Sequence, residues 1–310
     1  MKILIAGGTG FIGQPLCDEL IKSGHELTIL SRTKGENTKS KNYILWEEQD
    51  KLKEIINEID IVINLSGEPI AKKRWTREQK DLLYKSRIVT TQILVNAINN
   101  AVRAYGHTPR PKKLINASAV GIYGSRGNEK ITDKNAFDEM SLLGNDFLTN
   151  ICKEWESEAR KVETSRGTSL VILRLGIVLG AGGGALEKML PPFQMFAGGP
   201  LGNGNQYMSW IHVDDVIGLI KFAIENENVT GILNATAPNP VTNKEFSNIL
   251  GKVLNRPSFM PVPDFALKLL LGEMSELLLT GQNVIPERAL ESGYKFKYEK
   301  LRDALEDILE

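Results

Sequence analysis

The fold is decided by the stretch ILIAGGTGFIG, at residues 3–13. Its first three residues are an apolar run typical of a buried strand, and Leu16, Leu20 and Ile21 follow at the spacing of one helix face. The glycines therefore lie at a strand-to-helix turn. Because glycine has no Cβ, backbone N–H groups in such a turn can approach a phosphate, which the positive end of the helix dipole also attracts. The stretch predicts a site for the pyrophosphate of a dinucleotide.

The glycine spacing supports this prediction with one departure. Gly7-x-x-Gly10-x-x-Gly13 is one residue longer than the G-x-G-x-x-G form of the dinucleotide fingerprint. The alternative is a tight turn that packs the helix on the strand and binds nothing, but the position between a strand and a helix is the context that the fingerprint needs. The predicted contacts at the turn are Gly7, Thr9, Gly10, Phe11, Ile12 and Gly13.

Composition narrows the class of protein. The chain has 310 residues, enough for one large α/β domain or a core with a smaller partner, and 42% of them are hydrophobic. Lys plus Arg and Asp plus Glu balance at 38 each, so we expect no electrostatic attraction to nucleic acid or to an anionic membrane. Cys17 and Cys152 are far apart, which predicts core thiols in a reducing cytoplasm rather than a disulfide. No cluster has zinc-ligand spacing and no apolar run has the length of a membrane span, so we expect a cytoplasmic protein without a metal.

A basic residue follows the second predicted strand. Residues 26–30 are the strand, and Ser31 and Arg32 lie at its end. In dinucleotide sites an acidic residue about 20 positions after the glycines binds the ribose 2′-hydroxyl, whereas an arginine there accommodates a 2′-phosphate. Arg32 therefore favours NADP(H) as the cofactor. The alternative is a solvated loop cation, because the polar run 34–42 follows it.

Strands and helices alternate along the first half of the chain. Further strands are predicted at 43–46, 60–65, 114–118 and 169–175, and a long helix at 76–104. The alternation predicts an α/β fold with a doubly wound parallel sheet, whose strand ends meet at one crevice. Ser66 and Gly67 then reach the cofactor from the end of the strand at 60–65. We assign residues 1–180 to this Rossmann core, with a returning segment at 208–235.

The second half of the chain is less regular and rich in predicted helix. We assign residues 181–310 to a smaller α-rich substrate lobe, with helices near 243–254, 267–271, 286–290 and 298–309. Prolines at 257, 261 and 263 mark the break within its helical part, 255–310. His212 precedes a helix, where we expect a structural hydrogen bond, and the large aromatic rings are expected in the core. Those aromatic residues are Trp75, Trp155 and Trp210.

Five motifs in order make the chain resemble a known family. They are GGTGFIG at 7–13, NLSG at 64–67, ASAVGIYG at 117–124, RLGIVLG at 174–180 and WIHVDD at 210–215. Together they resemble the extended short-chain dehydrogenase/reductases, in the nucleotide-sugar epimerase branch. A second set looks like a subgroup of uncharacterised epimerase-family proteins with a distinctive C-terminal domain, some of them labelled cell-division inhibitors. That set is RWT at 74–76, SR at 86–87, KEWE at 153–156 and the tail 282–298.

The resemblance implies a catalytic group that this chain holds only in part. The family combines a Ser or Thr with Tyr-x-x-x-Lys, in which the lysine cation favours the ionised tyrosine that serves as the base. Lys153 fits the lysine, but the residue four positions before it is Thr149. Ala119 occupies the usual serine position, one residue after Ser118. The predicted catalytic residues are Ser118 and Lys153, and loss of a positioned base typically costs about 10²–10⁴ in rate.

The resemblance and the strand ends together extend the predicted cofactor site. The added contacts are Ser31, Arg32, Leu65, Ser66, Gly67, Arg87, Lys153 and Ile177. Lys153 binds the nicotinamide ribose in the family, and a solvated helix cation is the alternative. Arg87 holds a cofactor phosphate or an anionic substrate, or else pairs with Asp81. Tyr123 is expected to be structural. The candidates to replace the missing tyrosine are Glu68, Lys85, Arg87 and Tyr207.

Two functions are consistent with these residues. The first is an NADP(H)-dependent oxidoreductase or epimerase with altered acid–base residues, acting on a small molecule, nucleotide-linked substrates included. The second is an NADPH-binding sensor or regulatory protein without catalysis. Thr149 in place of the catalytic tyrosine is the reason to consider it. A protein that keeps its substrate lobe usually keeps a pocket, which favours the enzyme by analogy. The expected partners are the substrate and a second copy of the chain in a homodimer; nucleic acid and membrane are not expected.

Overall fold

A computed structural model describes residues 1–105, 111–125, 136–164 and 167–310 of the chain. Its strands are β1 (Lys2–Ala6), β2 (Glu26–Ser31), β3 (Lys41–Leu45), β4 (Ile61–Asn64), β5 (Lys113–Ala119), β6 (Ser169–Leu175), β7 (Ile177–Leu179), β8 (Tyr207–Met208), β9 (Trp210–His212), β10 (Gly231–Ala235) and β11 (Val241–Thr242). Its α-helices are α1 (Gly13–Lys22), α2 (Gln49–Ile55), α3 (Arg77–Tyr105), α4 (Phe147–Arg160), α5 (Gly184–Gln194), α6 (Val213–Glu225), α7 (Asn243–Leu254), α8 (Asp264–Leu271), α9 (Glu276–Leu279), α10 (Glu287–Glu291) and α11 (Leu301–Leu309).

Seven of the strands form one parallel sheet in the order β10-β6-β5-β4-β1-β2-β3. The order runs outward in both directions from β1 and β4, so the predicted doubly wound α/β fold is confirmed. The carboxyl ends of the strands share one edge of the sheet, and β1 pairs with β2 on one side and β4 on the other. The glycine turn therefore lies between the loops that follow β2 and β4.

The strands of this sheet are buried on both faces, as expected for a parallel sheet covered by helices. Ile3 and Ile5 of β1 pack with α1 and α6 on one face. Leu4 and Ala6 point to the opposite face and pack with α2 and α3. All four side chains are fully buried, so alternate residues of one short strand hold both helical layers.

Local polar side chains set where two helices beside the sheet begin. Thr76 Oγ1 accepts the N–H of Gln79 at 3.2 Å, at the start of α3. Asp146 Oδ1 accepts the N–H of Thr149 at 2.8 Å, at the start of α4. No side chain of the described residues caps α1, whose first N–H groups follow the glycine turn. At this start Gln14 donates its N–H to the carbonyl oxygen of Gly10 at 2.9 Å, and Pro15 has no N–H to donate.

The second half of the chain builds its own core beside the sheet. Helices α5, α7 and α11 contribute buried side chains that pack around Trp210 and Phe246. The helices predicted near 243–254, 267–271, 286–290 and 298–309 correspond to α7, α8, α10 and α11. Helix α5 contains Pro191 and Pro192 and has no counterpart among the predicted helices. In the described part of the chain, no helix combines the length and apolar character needed to cross a membrane.

The C-terminal segment covers β10, the last strand at one side of the sheet. Arg288 of α10 donates hydrogen bonds to the carbonyl oxygens of Ile232 and Thr230, at 2.8 and 2.9 Å. Asn234 of β10 donates through Nδ2 to the carbonyl oxygen of Ile285, at 2.9 Å. The segment before α11 is therefore bound to the main sheet as well as to the second core.

Candidate cofactor site and active site

The glycine turn has four glycines, of which Gly10 has an open side and Gly7, Gly8 and Gly13 have filled sides. A Cβ on Gly7 would lie 2.7 Å from the carbonyl carbon of Leu65, and a Cβ on Gly13 would overlap the carbonyl oxygen of Gly7. Gly7 also has a φ of +84°, which favours glycine. Among the described residues, a Cβ on Gly10 would meet only the carbonyl oxygen of Gly7, at 3.3 Å. The open side of Gly10 is where a pyrophosphate can approach the backbone.

The other residues of the turn differ in what they offer a ligand. Thr9 is exposed, whereas Ile12 is half-buried against the sheet core. The Phe11 ring packs on the glycine-rich loop after β7, where a Cβ on Gly180 would lie 3.0 Å from the ring. Ile177 begins β7, and its N–H donates to the carbonyl oxygen of Ser209 at 2.8 Å. Phe11 thus holds the turn against this loop. The backbone of the turn and the Thr9 side chain stay available to a cofactor.

The end of β2 places Arg32 beside the turn. The Ser31 hydroxyl donates to the carbonyl oxygen of Thr33, which holds the chain after the strand. The Arg32 side chain is 83% exposed, and its Nη1 lies 3.9 Å from Oε2 of Glu68. Arg32 is therefore accessible to a ligand on the neighbouring glycine turn.

The loop after β4 reaches the turn from the other side. Leu65 donates its N–H to the carbonyl oxygen of Ala6 at 2.8 Å, so the loop runs directly beside the end of β1. Ser66 is buried, and its hydroxyl hydrogen-bonds to Oδ1 of Asn64. Gly67 is exposed. The Ser66 hydroxyl is thus used within the protein, and a cofactor contact here would use the backbone.

Arg87 joins this loop to α3. Its guanidinium donates to the carbonyl oxygens of Leu83 and Glu68, at 3.0 and 3.1 Å. Burial lowers the pKa of Arg87. The alternative that Arg87 pairs with Asp81 is wrong, because Asp81 pairs with Lys85 at 2.7 Å. Arg87 therefore fixes the conformation of the loop after β4.

Thr149, at the family's tyrosine position, is fully buried against main chain. Its hydroxyl donates to the carbonyl oxygen of Gly121 at 3.1 Å. A Cβ on Gly144 would overlap the backbone of Gly124 and lie 2.7 Å from Thr149 Oγ1. The space that a phenol would need at this position is therefore filled by the backbone of Gly124 and Gly144.

Ser118 is held inside the protein. Its side chain is 1% exposed, and its hydroxyl donates to Oε1 of Glu156 at 2.8 Å. Glu156 accepts two further hydrogen bonds from Arg174, at 2.8 and 2.9 Å. Burial acts to lower the pKa of Arg174, but the hydrogen bonds and charge of Glu156 outweigh it and raise the pKa. The Ser118 hydroxyl thus donates to a buried ion pair and does not face a ligand.

Lys153 is half-buried, and its ammonium donates to the carbonyl oxygen of Gly144 at 2.7 Å. This hydrogen bond uses one of the three N–H bonds of the ammonium. Because residues four apart share a helix face, Lys153 and Thr149 both contact Gly144 from α4. The structure therefore brings together the two positions of the family's Tyr-x-x-x-Lys motif.

A buried hydrogen-bond network beside these positions has no counterpart in the sequence predictions. Arg174 donates to the Tyr123 hydroxyl at 2.9 Å, and this hydroxyl donates to Oδ1 of Asn234 at 2.7 Å. The N–H of Asn234 donates to Oε1 of Glu139 at 2.8 Å. Tyr123 thus has the structural role expected of it. The only signal for Arg174 is its place at the start of RLGIVLG.

The candidates to replace the tyrosine have protein partners. Glu68 Oε1 lies 3.0 Å from Nζ of Lys72, Lys85 pairs with an aspartate of its own helix, and Tyr207 belongs to β8, which pairs with β11. Arg87 hydrogen-bonds to two carbonyl oxygens. The charged groups of Glu68, Lys85 and Arg87 are thus engaged within the protein, whereas the pairing of β8 describes the backbone of Tyr207 and not its phenol.

One group in the described part of the chain combines metal-ligand side chains with close spacing: the ligand atoms of His212, Asp214 and Asp307 lie within 4.8 Å of one another. His212 Nδ1 accepts the N–H of Asp214 at 3.1 Å, so the neutral ring carries its proton on Nε2, 3.4 Å from Asp307. A protonated nitrogen does not bind a metal ion. Asp214 also accepts a hydrogen bond from Lys297 at 2.8 Å. His212 therefore makes the structural hydrogen bond expected at the start of a helix.

Comparison with known proteins agrees with this architecture. The profile of the NAD dependent epimerase/dehydratase family matches residues 3–235, and that of a domain of unknown function, DUF1731, matches residues 262–308. The chain belongs to the NAD dependent epimerase/dehydratase family. The resemblance to extended short-chain dehydrogenase/reductases with a distinctive C-terminal domain is thereby confirmed.

The chain is similar over its whole length to members of this family. It is 43% identical over 315 residues to the chloroplastic epimerase family protein SDR39U1 homolog of Arabidopsis thaliana, covering 100% of this chain and 87% of that protein. It is 39% identical over 312 residues to the epimerase family protein YfhF of Bacillus subtilis (strain 168), covering 100% and 98%. A crystal structure of human epimerase family protein SDR39U1 (isoform2) with NADPH superposes with a TM-score of 0.86 and 35% identity, covering 99% of each chain.

Proposed function

We propose that the protein binds NADP(H) and transfers a hydride between its nicotinamide and a small molecule, as an oxidoreductase or an epimerase. Nucleotide-linked substrates are included in this class. The observation that carries the proposal is the exposed Arg32 guanidinium at the end of β2, beside a glycine turn in which Gly10 is open. The likeness to a human family member crystallised with NADPH supports the choice of cofactor.

The residues present fit this cofactor. The open side of Gly10 and the positive end of the α1 dipole suit a pyrophosphate. Arg32 suits a 2′-phosphate, because a guanidinium donates several N–H bonds to phosphate oxygens. When bound, NADP(H) supplies or accepts the hydride. The chain's own contribution is to bind the phosphates and to orient the nicotinamide at the carboxyl ends of the strands.

Lys153 is the catalytic residue of this proposal. The hydroxyl protons of Thr149 and Ser118 are donated to Gly121 and Glu156. The Lys153 ammonium, held by the carbonyl oxygen of Gly144, can stabilise negative charge that develops on a substrate oxygen and can donate a proton to it. This assignment replaces the usual phenol by an ammonium as the proton donor.

One observation favours a second function. The backbone of Gly124 and Gly144 fills the place of the family's tyrosine, while the residues proposed to bind the cofactor stay accessible. A protein that binds NADPH without turning it over, and so reports on the nucleotide as a sensor, would have this combination. It shares the cofactor assignment with the enzyme and differs in the chemistry.

Absorbance of the reduced nicotinamide distinguishes the two functions. The protein is mixed with NADPH and a panel of carbonyl compounds and nucleotide sugars. The enzyme predicts oxidation of NADPH with at least one of them, and a loss of roughly 10²-fold or more in kcat for Lys153→Met, because the proton donor is removed. Binding of NADPH without oxidation across the panel would contradict the enzyme and support the sensor.

Replacement of Arg32 tests the cofactor assignment itself. Arg32→Ala removes the phosphate ligand, so we expect NADPH to bind about 10-fold more weakly and NADH to change by less than about 2-fold. Isothermal titration calorimetry with both nucleotides measures the two effects. Arg302→Ala, which removes another exposed arginine on α11, is the control. Equal losses for NADPH and NADH would show that the 2′-phosphate assignment is wrong.

A further inference from the structure

Two cations and one buried carboxylate meet beside the glycine turn. The Glu68 side chain is 5% exposed; its Oε1 lies 3.0 Å from Lys72 Nζ, and its Oε2 lies 3.9 Å from Arg32 Nη1. A carboxylate taken out of water needs a paired charge, and Lys72 alone supplies one. Arg32 is a second cation beside the same carboxylate, so the trio of two cations and one anion keeps a net positive charge.

The backbone of Glu68 is fixed, and the two cations beside its side chain are exposed. Ser86 Oγ accepts the N–H of Glu68 at 3.0 Å, and Arg87 donates to its carbonyl oxygen at 3.1 Å, so α3 holds the residue from both sides. Lys72 and Arg32 are 54% and 83% exposed. Their charged groups are thus accessible to a ligand from the side that faces away from the carboxylate.

The trio crosses the part of the crevice that adjoins the adenosine end of a bound dinucleotide. Arg32 follows β2, whereas Glu68 and Lys72 lie in the loop after β4. Both strands pair with β1, on opposite sides, so the contact between Arg32 and Glu68 spans the end of β1, where the glycine turn begins. The ribose that carries the 2′-phosphate is expected at the Arg32 side of this span.

We propose that Lys72 is a second ligand of the 2′-phosphate of NADPH and helps to set the preference for NADPH over NADH. A phosphate monoester carries a charge of about −1.5 to −2 and three acceptor oxygens, more than one arginine neutralises. Lys72 and Arg32 can bind it together, since Glu68 keeps both cations at the same place. NADH has a neutral hydroxyl at this position and gains little from a second cation. The inference rests on the NADP(H) binding proposed above.

Two adjacent lysines provide a matched test. Lys72 and Lys73 are both exposed and lie in the same loop, but the contact with Glu68 is made by Lys72. We expect Lys72→Met to weaken NADPH binding about 10-fold, or about 1.4 kcal/mol, and Lys73→Met to change it by less than about 2-fold. NADH binding should stay unchanged in both variants. Titration calorimetry gives the constants, and competition by adenosine 2′,5′-bisphosphate against adenosine 5′-monophosphate repeats the comparison without the nicotinamide half.

The outcomes separate this inference from the proposed function. If the unmodified protein binds NADPH and NADH equally, the cofactor assignment is wrong, and the role of Lys72 fails with it. If it prefers NADPH but Lys72→Met and Lys73→Met weaken NADPH alike, Lys72 acts only through general charge and is not a phosphate ligand. Equal effects of Lys72→Met on NADPH and NADH would overturn the inference as well. Lys72→Arg keeps a cation and should retain most of the preference.

Discussion

A threonine at position 149 gives α4 a hydroxyl where the family's catalytic motif has a phenol. The hydroxyl donates to the carbonyl oxygen of Gly121, and the backbone of Gly124 and Gly144 closes over the side chain. Two glycines in contact leave no room for a ring. The absence of the base is therefore a matter of space as well as of chemistry.

A tyrosine at this position should therefore disrupt packing and fail to create activity. We expect Thr149→Tyr to lower the free energy of unfolding by about 1–3 kcal/mol, the usual cost of an overpacked core. Thr149→Ser keeps the hydroxyl and removes one methyl group, and should cost under about 1.5 kcal/mol. Urea unfolding measures both. A Thr149→Tyr protein as stable as the original, with increased turnover, would show that the site does have room for the phenol.

Features that depend on the local backbone could be predicted, and side-chain partners that lie far along the chain could not. The open position of Gly10 follows from its place in a strand-to-helix turn, and the exposure of Arg32 follows from the end of β2. Ser118 is different, because its partner Glu156 lies 38 residues away on α4. The hydrogen-bond partner of the Ser118 hydroxyl is decided only by the packing of that helix on the sheet.

Among the secondary-structure elements, α4 is joined to two strands by one buried carboxylate. Glu156 of α4 accepts hydrogen bonds from Arg174 of β6 and from Ser118 of β5. The side chains of Glu156 and Arg174 are only 5% and 3% exposed. The pair therefore sets where α4 lies across the sheet, and hence where Lys153 projects.

Removal of this carboxylate should be costly. We expect Glu156→Gln to lower the free energy of unfolding by about 3 kcal/mol, because Arg174 is left as a buried charge without a counter-ion. Glu306→Gln breaks the exposed pair of Glu306 with Arg302 on α11 and should cost under about 1 kcal/mol. Urea unfolding of the two variants makes the comparison. Equal small losses would mean that the buried pair does not hold α4.

Helix α5 shows why some elements escape prediction. Proline removes an N–H donor and disfavours a helix interior, so Pro191 and Pro192 argue against a helix at 184–194. Leu186 and Phe193 are nevertheless buried in the second core, at 1% and 5% exposure. Tertiary packing outweighs local propensity here. The apolar pattern of a helix face is present, since Leu186, Met189, Leu190 and Phe193 follow the i, i+3, i+4, i+7 spacing, but the two prolines oppose it.

In the molecule as a whole, the C-terminal segment is fixed to the start of α6. Asp215 accepts the N–H groups of Lys297 and Tyr298, at 2.7 and 2.9 Å. The His212 ring lies 4.1 Å from the ring of Tyr298, measured between centroids. Because Lys297 and Asp214 are 83 positions apart, no local pattern in the sequence predicts this junction, although the alternation of strands and helices predicts the sheet.

The homodimer stays a prediction. Light scattering checks it by measuring the mass of the protein in solution.

This junction should make stability depend on pH. Burial lowers the pKa of His212, and the facing Asp214, Asp307 and Asp215 oppose that effect only in part, with Lys297 adding to it. The unfolded chain, with a histidine pKa of about 6.5, then binds more protons than the folded one. Stability is complete above that value and falls as the pH drops toward the lower folded pKa.

Denaturant unfolding between about pH 4.5 and 7.5 tests this, a window that brackets the unfolded histidine pKa. His212→Asn keeps an acceptor for the N–H of Asp214 and removes the titration, so its stability should fall less steeply on acidification. The pKa of His25 is also lowered by burial, which leaves a residual slope in the variant. Parallel curves for the original protein and the variant would assign the pH dependence to other groups.

The hydrogen bonds of Arg288 have a consequence for the behaviour of the protein in concentrated solution. A strand at the side of a sheet presents unpaired carbonyl oxygens, through which a second sheet can add and aggregation can start. On β10 and the residue before it, two of these oxygens, those of Ile232 and Thr230, are occupied by one guanidinium from α10. Helix α10 thereby blocks part of this edge against the addition of another strand, whether or not a ligand is bound.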